Sequence, residues 1–192
     1  MQRTAWGFIA FLASGCVVCA ALACGTERWP VKVGTDRDAR KVANLPQATT
    51  IAQLISITAP IHPESRRNAR FAPTELTTFQ IKGVLTVIKK ETDQDYHLVI
   101  ADPTNPGLTM IVESPDPNCA SGSQFLDNIT FVRAMLDQAL QRDRAFVEAS
   151  RSEPNIPVTV TGIAFFDALH GQEGVAPNGI ELHPVLMIDF QR

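Results

Sequence analysis

From Thr77 onward the chain alternates. In FQIKGVLTVIKK, Phe79, Ile81, Gly83, Leu85 and Val87 share one face with a period of two, which predicts a strand with one buried side. After the polar turn ETDQD, YHLVIAD predicts a second strand, with Tyr96, Leu98 and Ile100 on one face and His97, Val99 and Ala101 on the other. DPTNPG is a turn by composition, and LTMIVE completes a three-stranded meander. Over residues 127–150 the period becomes helical. Ile129, Val132, Leu136, Ala139 and Leu140 face inward, Arg133, Asp137, Gln141 and Arg144 outward, and Asp127 is placed to cap. Pro154 and Pro157 end that helix, and VTVTGIAFFD and IELHPVLMIDF supply two last strands.

Three strands, a helix and two strands is the layout of an OB-fold, a mainly β five-stranded Greek-key barrel with its helix between strands three and four. A different α+β sandwich uses the same elements. Gly83 and Gly162, each in mid-strand, suit the tight coiling of a small barrel. The barrel domain is expected over residues 74–192. Ahead of it, residues 24–48 show no sustained period and read as an arm anchored by Trp29. Thr49-Thr50 cap a short helix in IAQLISI, and the proline-punctuated residues 58–73 read as an irregular loop, so residues 24–73 form an arm with one helix.

The first residues change the picture of compartment. Arg3 is followed by the uncharged residues 6–23, closing on Ala21-Leu22-Ala23, the small-x-small pattern of a cleaved export signal over residues 1–23. No basic stop-transfer cluster follows, which argues against a membrane anchor there. Cys24 would then lead the mature chain. A lipid on that cysteine is the competing fate, but Ala21 stands where a lipobox usually carries Leu, which favours plain export to the periplasm or beyond. Cys24 and Cys119 are the two cysteines left, and in an exported chain they invite a disulfide; a lipid on Cys24 would forbid it.

Arg3 is the only charged residue before Cys24, so the 17 basic residues of the whole chain become 16 against 20 acidic. That balance speaks against a nucleic-acid partner and for a small molecule, oligosaccharide or peptide. Arg66, Arg67 and Arg70 cluster in the loop before the barrel, read mainly as a solvated group.

Candidate chemistry gathers in HGQEGVAPNGIELHPVL, residues 170–186. Asp167 and His170 end the fourth strand, Asn178-Gly179 makes a turn, and Glu181 and His183 share a face of the fifth. Asp95, His97 and Asp102 belong to the second strand. The economical metal set is His170 and His183 with Asp167 or Glu181, joined by His97 if the strands lie together; a divalent metal is the one cofactor these residues admit. Glu181 would be the base of a metal-dependent hydrolase, with phosphodiesters as the candidate substrate. The competing reading is a polar corner held by hydrogen bonds, since Asn-Gly is a turn signal and Pro184 suggests a strand edge where His183 meets water. The stretch itself has no HExxH spacing, no Cys-x-x-Cys pair and no nucleophile elbow. In a binding module, His97, Asp102, Asp167, Asn178 and Glu181 would line the ligand face. In an interaction protein, Arg28 or Lys32 of the arm would pair with Asp167 or Glu181.

The segments CGTERWPVKVGTD, DYHLVIAD and FFDALHGQEGVAPNGIELHPVL together resemble a family of small exported bacterial proteins. The resemblance implies an export signal and an OB-like barrel; it carries no reaction and no catalytic residues. The expectation is therefore an exported OB-like binding or interaction module, with the hydrolase as the alternative.

Overall fold

Along residues 24–191, which the computed structural model describes, the chain forms α1 (Trp29–Val33), β1 (Gln47–Thr49), α2 (Ile51–Ile55), β2 (Thr78–Lys90), β3 (Tyr96–Ala101), β4 (Thr109–Ser114), α3 (Leu126–Leu140), α4 (Arg144–Ala149), β5 (Arg151–Ser152), β6 (Ile156–Phe166) and β7 (Ile180–Phe190). The export signal read over residues 1–23 lies outside the described residues.

Five of these strands close on themselves. β2 pairs antiparallel with β3, β3 with β4, β7 with β6 and β6 with β2, while β4 and β7 run parallel. This is the strand order of an OB barrel, with α3 spanning from the third barrel strand to the fourth. β2 does double duty: its first half, Thr78 to Leu85, lies against β6, and its second half, Val84 to Lys90, against β3, with a register shift between Leu85 and Val87. A Cβ on Gly83 would come within 2.9 Å of the Ala101 carbonyl, and one on Gly162 within 2.8 Å of the Leu182 Cβ, so both mid-strand glycines mark close crossings.

Alternate residues fill the barrel: Ile81, Leu85, Leu98, Ile100, Met110, Val112, Leu182 and Ile188, capped from the helix by Val132, Leu136 and Leu140. A second, smaller core lies outside the barrel, where Val33, Ala39 and Val42 of the arm meet Phe125, Ile129 and Ile163. The arm is thus not a loose strap. It carries its own helix α1, and β1 adds a parallel strand to β2. α2 begins as the sequence predicts, with a full capping box between Thr50 and Gln53.

Several local expectations are corrected. The helix is cut in two: Asp143 caps α4 by accepting from the Ala145 and Phe146 amides, which stops α3 from running on. The N-cap of α3 is Phe125, and Asp127 sits in the first turn. Arg133 does not face solvent. It donates to the Ser114 and Gln94 carbonyls and lies 3.6 Å from the Tyr96 ring centre. Residues 58–73 are irregular, and Arg66 and Arg67 are exposed as expected, but Arg70 is buried, forked onto Asp36 and bonded to the Val31 and Glu75 carbonyls, so it leaves the solvated group. The Cys24–Cys119 disulfide forms, with Cα atoms 5.6 Å apart and a sequence separation of 95. It uses the sulfur a lipid would need and fits an oxidising compartment. No helix among the described residues is long and apolar enough to cross a membrane.

Candidate binding face and its buried acid–imidazole cluster

Because strand side chains alternate, sending Leu98, Val112 and Leu182 into the barrel sends His97, Glu113, Glu181 and His183 to its outer face. The outer face around the second and third barrel strands, with the two loops at its end, is where OB barrels take ligands. Here the chain covers that face itself. Gly174, at φ +77°, lays the β6–β7 loop so close on Val99 that a Cβ there would come within 2.5 Å of a valine methyl. From the arm, the Trp29 ring stands edge-on to His183, centres 6.5 Å apart, and Lys32 Nζ lies 5.2 Å from the Phe165 ring centre.

Beneath this cover four carboxylates and two imidazoles share a buried space. Glu113 bridges the histidines: Oε1 is 3.1 Å from His97 Nδ1, and Oε2 is 3.0 Å from His183 Nδ1 but out of hydrogen-bond alignment. His97 Nε2 donates to the Glu173 carbonyl at 2.9 Å, so both of its nitrogens are engaged. His183, fully buried, has neither nitrogen satisfied; Asp95 Oδ2 lies 3.7 Å from Nε2 and Glu181 Oε2 4.0 Å from Nδ1, and both of those oxygens are also without a partner. Asp95 is anchored by its other oxygen, which accepts the Asp116 amide. One ligand atom each from Asp95, Glu113 and His183 lies within 4.8 Å of the other two.

The protonation equilibria follow from this crowding. Burial raises Glu181 well above the usual carboxylate range, and the charges of Glu113 and Asp167 add to it. Burial pushes Asp95 up to about 8, helped by Asp93 and Glu113. Burial works the same way on Glu113, but the His183 imidazole 3.0 Å away, the hydrogen bond with His97 and the charge of Lys32 hold it well below its ordinary value. Burial keeps the His183 imidazole below its ordinary value despite Glu113. For Lys32 burial is outweighed by Asp167, Glu181 and Glu113, and its ammonium is stabilised.

Above the cluster opens a pocket of about 360 Å³, walled by the arm (Cys24, Glu27, Trp29, Lys32), the β2–β3 loop (Thr92, Asp93) and the β6–β7 loop (Asp167, His170). Lys32 Nζ lies 3.6 Å from Asp167 Oδ2, the arm-to-barrel pairing expected of an interaction protein. Arg28, by contrast, pairs with Glu75 rather than with Asp167 or Glu181. Two buried oxygens of the wall, Glu27 Oε1 and Asp167 Oδ1, have no partner.

The residues singled out from sequence divide between two roles. Asp167 and His170 do line the pocket, while Glu181, His183 and His97 belong to the buried layer below. The set His170, His183 and Glu181 is not assembled: His170 is an exposed side chain 4.0 Å from Asp167, and the carboxylates that meet His183 at ligand distance are Asp95 and Glu113. His183 does not meet water at a strand edge, for Trp29 and Phe165 close over it. Asp102 and Asn178 are structural. Asp102 accepts from the Thr104 amide and hydroxyl and the Asn105 amide, and Asn178 donates to the Leu54 and Ile57 carbonyls, holding the loop to α2. Tyr96, the chain's single tyrosine, is buried against Arg133 and unavailable for stacking.

Glu113 was not among the sequence candidates. Its signal was the alternation of LTMIVE, which puts Glu113 outward, and its importance appears only once β4 is registered so that Glu113 faces His97. Comparison with protein-family models, with curated proteins and with solved structures gives no match at a meaningful level.

Proposed function

We propose that the chain is an exported binding module of the bacterial cell envelope, taking a small ligand rich in hydrogen-bond donors into the pocket between the arm and the two barrel-end loops. The observation that carries this reading is the pair of buried, unpartnered acceptors, Glu27 Oε1 and Asp167 Oδ1, in the wall of an open pocket. Buried polar atoms are normally bonded, so these invite donors from outside the chain. Glu27, Asp93 and Asp167 against Lys32 give the wall an acidic balance that suits amines or sugar hydroxyls and opposes phosphates. Export is supported by the disulfide and by the leader pattern of residues 1–23.

The test uses Trp29, which lines the pocket. Its emission is followed during titration with spermidine, with a chitooligosaccharide and with a thymidine dodecamer. The expected result is saturable binding of the amine or the sugar, weakened at least tenfold by Asp167→Asn, and no response to the DNA. Silence from both, or binding of the DNA alone, refutes the reading.

A further inference from the structure

The buried cluster holds more acid than base: Asp95, Glu113, Glu181 and Asp167 face one ammonium, Lys32, which leans toward Asp167. Buried charges are stable when paired or when they hold a metal. We propose that Asp95, Glu113 and His183 form a binding site for a divalent transition-metal cation. The proposal stands whether or not the pocket above takes a ligand.

The geometry supports it at each residue. Asp95 Oδ2 and His183 Nε2, both buried and unpartnered, are 3.7 Å apart. Two metal–ligand bonds of about 2.0–2.2 Å span that gap with an obtuse angle between them. Asp95 is already fixed through its other oxygen by the Asp116 amide, so the free oxygen is aimed without further ordering. Glu113 supplies the third donor within the same 4.8 Å. The unpartnered Glu181 Oε2 lies 4.0 Å from Nδ1, the other nitrogen of the same imidazole, and is not counted among the ligands. His97 is excluded, because the Glu173 carbonyl and Glu113 occupy its two nitrogens.

The donor chemistry narrows the ion. An imidazole beside carboxylates suits zinc or manganese better than calcium, which prefers an all-oxygen cage, and both cysteines of the described chain are spent in the disulfide. The ligands come from the residue just before β3, the end of β4 and the first half of β7, neighbouring strands of the barrel. With Trp29 and Phe165 over His183, the site is closed, and the role we assign the cation is structural: it ties the face together and neutralises its acid.

The experiment is Zn2+ titration of chelator-stripped protein, read by calorimetry and by Trp29 emission in a Trp6→Phe background, which leaves one indole in the chain. The expected result is one Zn2+ per chain, weakened at least tenfold by Asp95→Asn and by Glu113→Gln and unaffected by His170→Ala. Zinc-edge X-ray absorption on the wild type should show imidazole nitrogen and oxygen neighbours and no sulfur. Circular dichroism in chelator checks that each variant is folded; if either carboxamide variant fails to fold, the absorption spectrum decides. No uptake, uptake indifferent to both carboxamide variants, loss on His170→Ala, or a sulfur shell would each overturn the proposal.

Discussion

Removing the Arg28 side chain should cost as much stability as truncating a large core residue, because of what it leaves behind. All five N–H groups of its guanidinium are used: Nε donates to Arg66 O at 3.1 Å, Nη1 to Glu75 Oε1 at 2.7 Å and Phe166 O at 2.9 Å, and Nη2 to Glu75 Oε2 at 2.7 Å and Ala69 O at 2.9 Å. Glu75 in turn accepts the Phe71 and Phe166 amides. Both side chains are fully buried. Arg28→Ala strands the Glu75 carboxylate with only those two amides, a loss of about 3–5 kcal/mol, out of the ~5–15 kcal/mol that holds a domain. Replacing a buried ion pair by apolar residues is often neutral. Here Arg28→Met with Glu75→Leu should not recover, since three carbonyls and two amides lose their partners at about 1 kcal/mol each. Urea unfolding at unchanged slope measures all three proteins. If Arg28→Ala costs under about 1 kcal/mol, or the double variant unfolds like wild type, water serves those backbone groups and the reasoning is wrong.

Three further outcomes are expected. Reducing the Cys24–Cys119 bridge, which spans 95 residues, should lower stability by at most about 5 kcal/mol and the thermal midpoint by about 10 °C; an unmoved midpoint in reductant would show that the arm's packing alone holds it. Hydrogen bonds from the Thr104 side chain and from backbone amides hold Asp102 below its ordinary value, so its contribution is complete above about pH 4 and disappears as pH falls through the lower folded value. Acid unfolding of Asp102→Asn should therefore converge with wild type at low pH and diverge near neutrality; parallel curves throughout contradict this. Gly174→Ala, at φ +77° and against Val99, should cost at least about 1 kcal/mol and expose the β6–β7 loop to proteolysis; a variant as stable and protease-resistant as wild type would mean the loop is not seated by that contact.

The barrel was legible because its strands keep strict alternation over long runs, and because Gly83 and Gly162 stand where such strands must coil. The arm was not, for its order comes from long-range contacts: Val33 and Val42 have no periodic partners nearby and find theirs in Ile163 and Phe125. The site was half legible. Asp167, Glu181 and His183 announced themselves as polar residues beside strands, but spacing along one strand could not reveal that His183 would turn to Asp95 and Glu113 on its neighbours. Arg133 was misread for the same reason. A helical wheel gives it to solvent, whereas two unpaired carbonyls at Ser114 and Gln94 draw it inward.

Cys24 is a wall of the pocket as well as half of the disulfide. Whatever is attached ahead of it therefore starts at the mouth of that pocket. An affinity tag or fusion partner placed there would stand beside Glu27 and Trp29, competing with any ligand and colouring the tryptophan signal used to detect one. Appended after β7, the same tag would begin beyond Phe190, which does not line this pocket. For this chain, the choice of which end to label decides whether a binding assay reports on the pocket or on the handle.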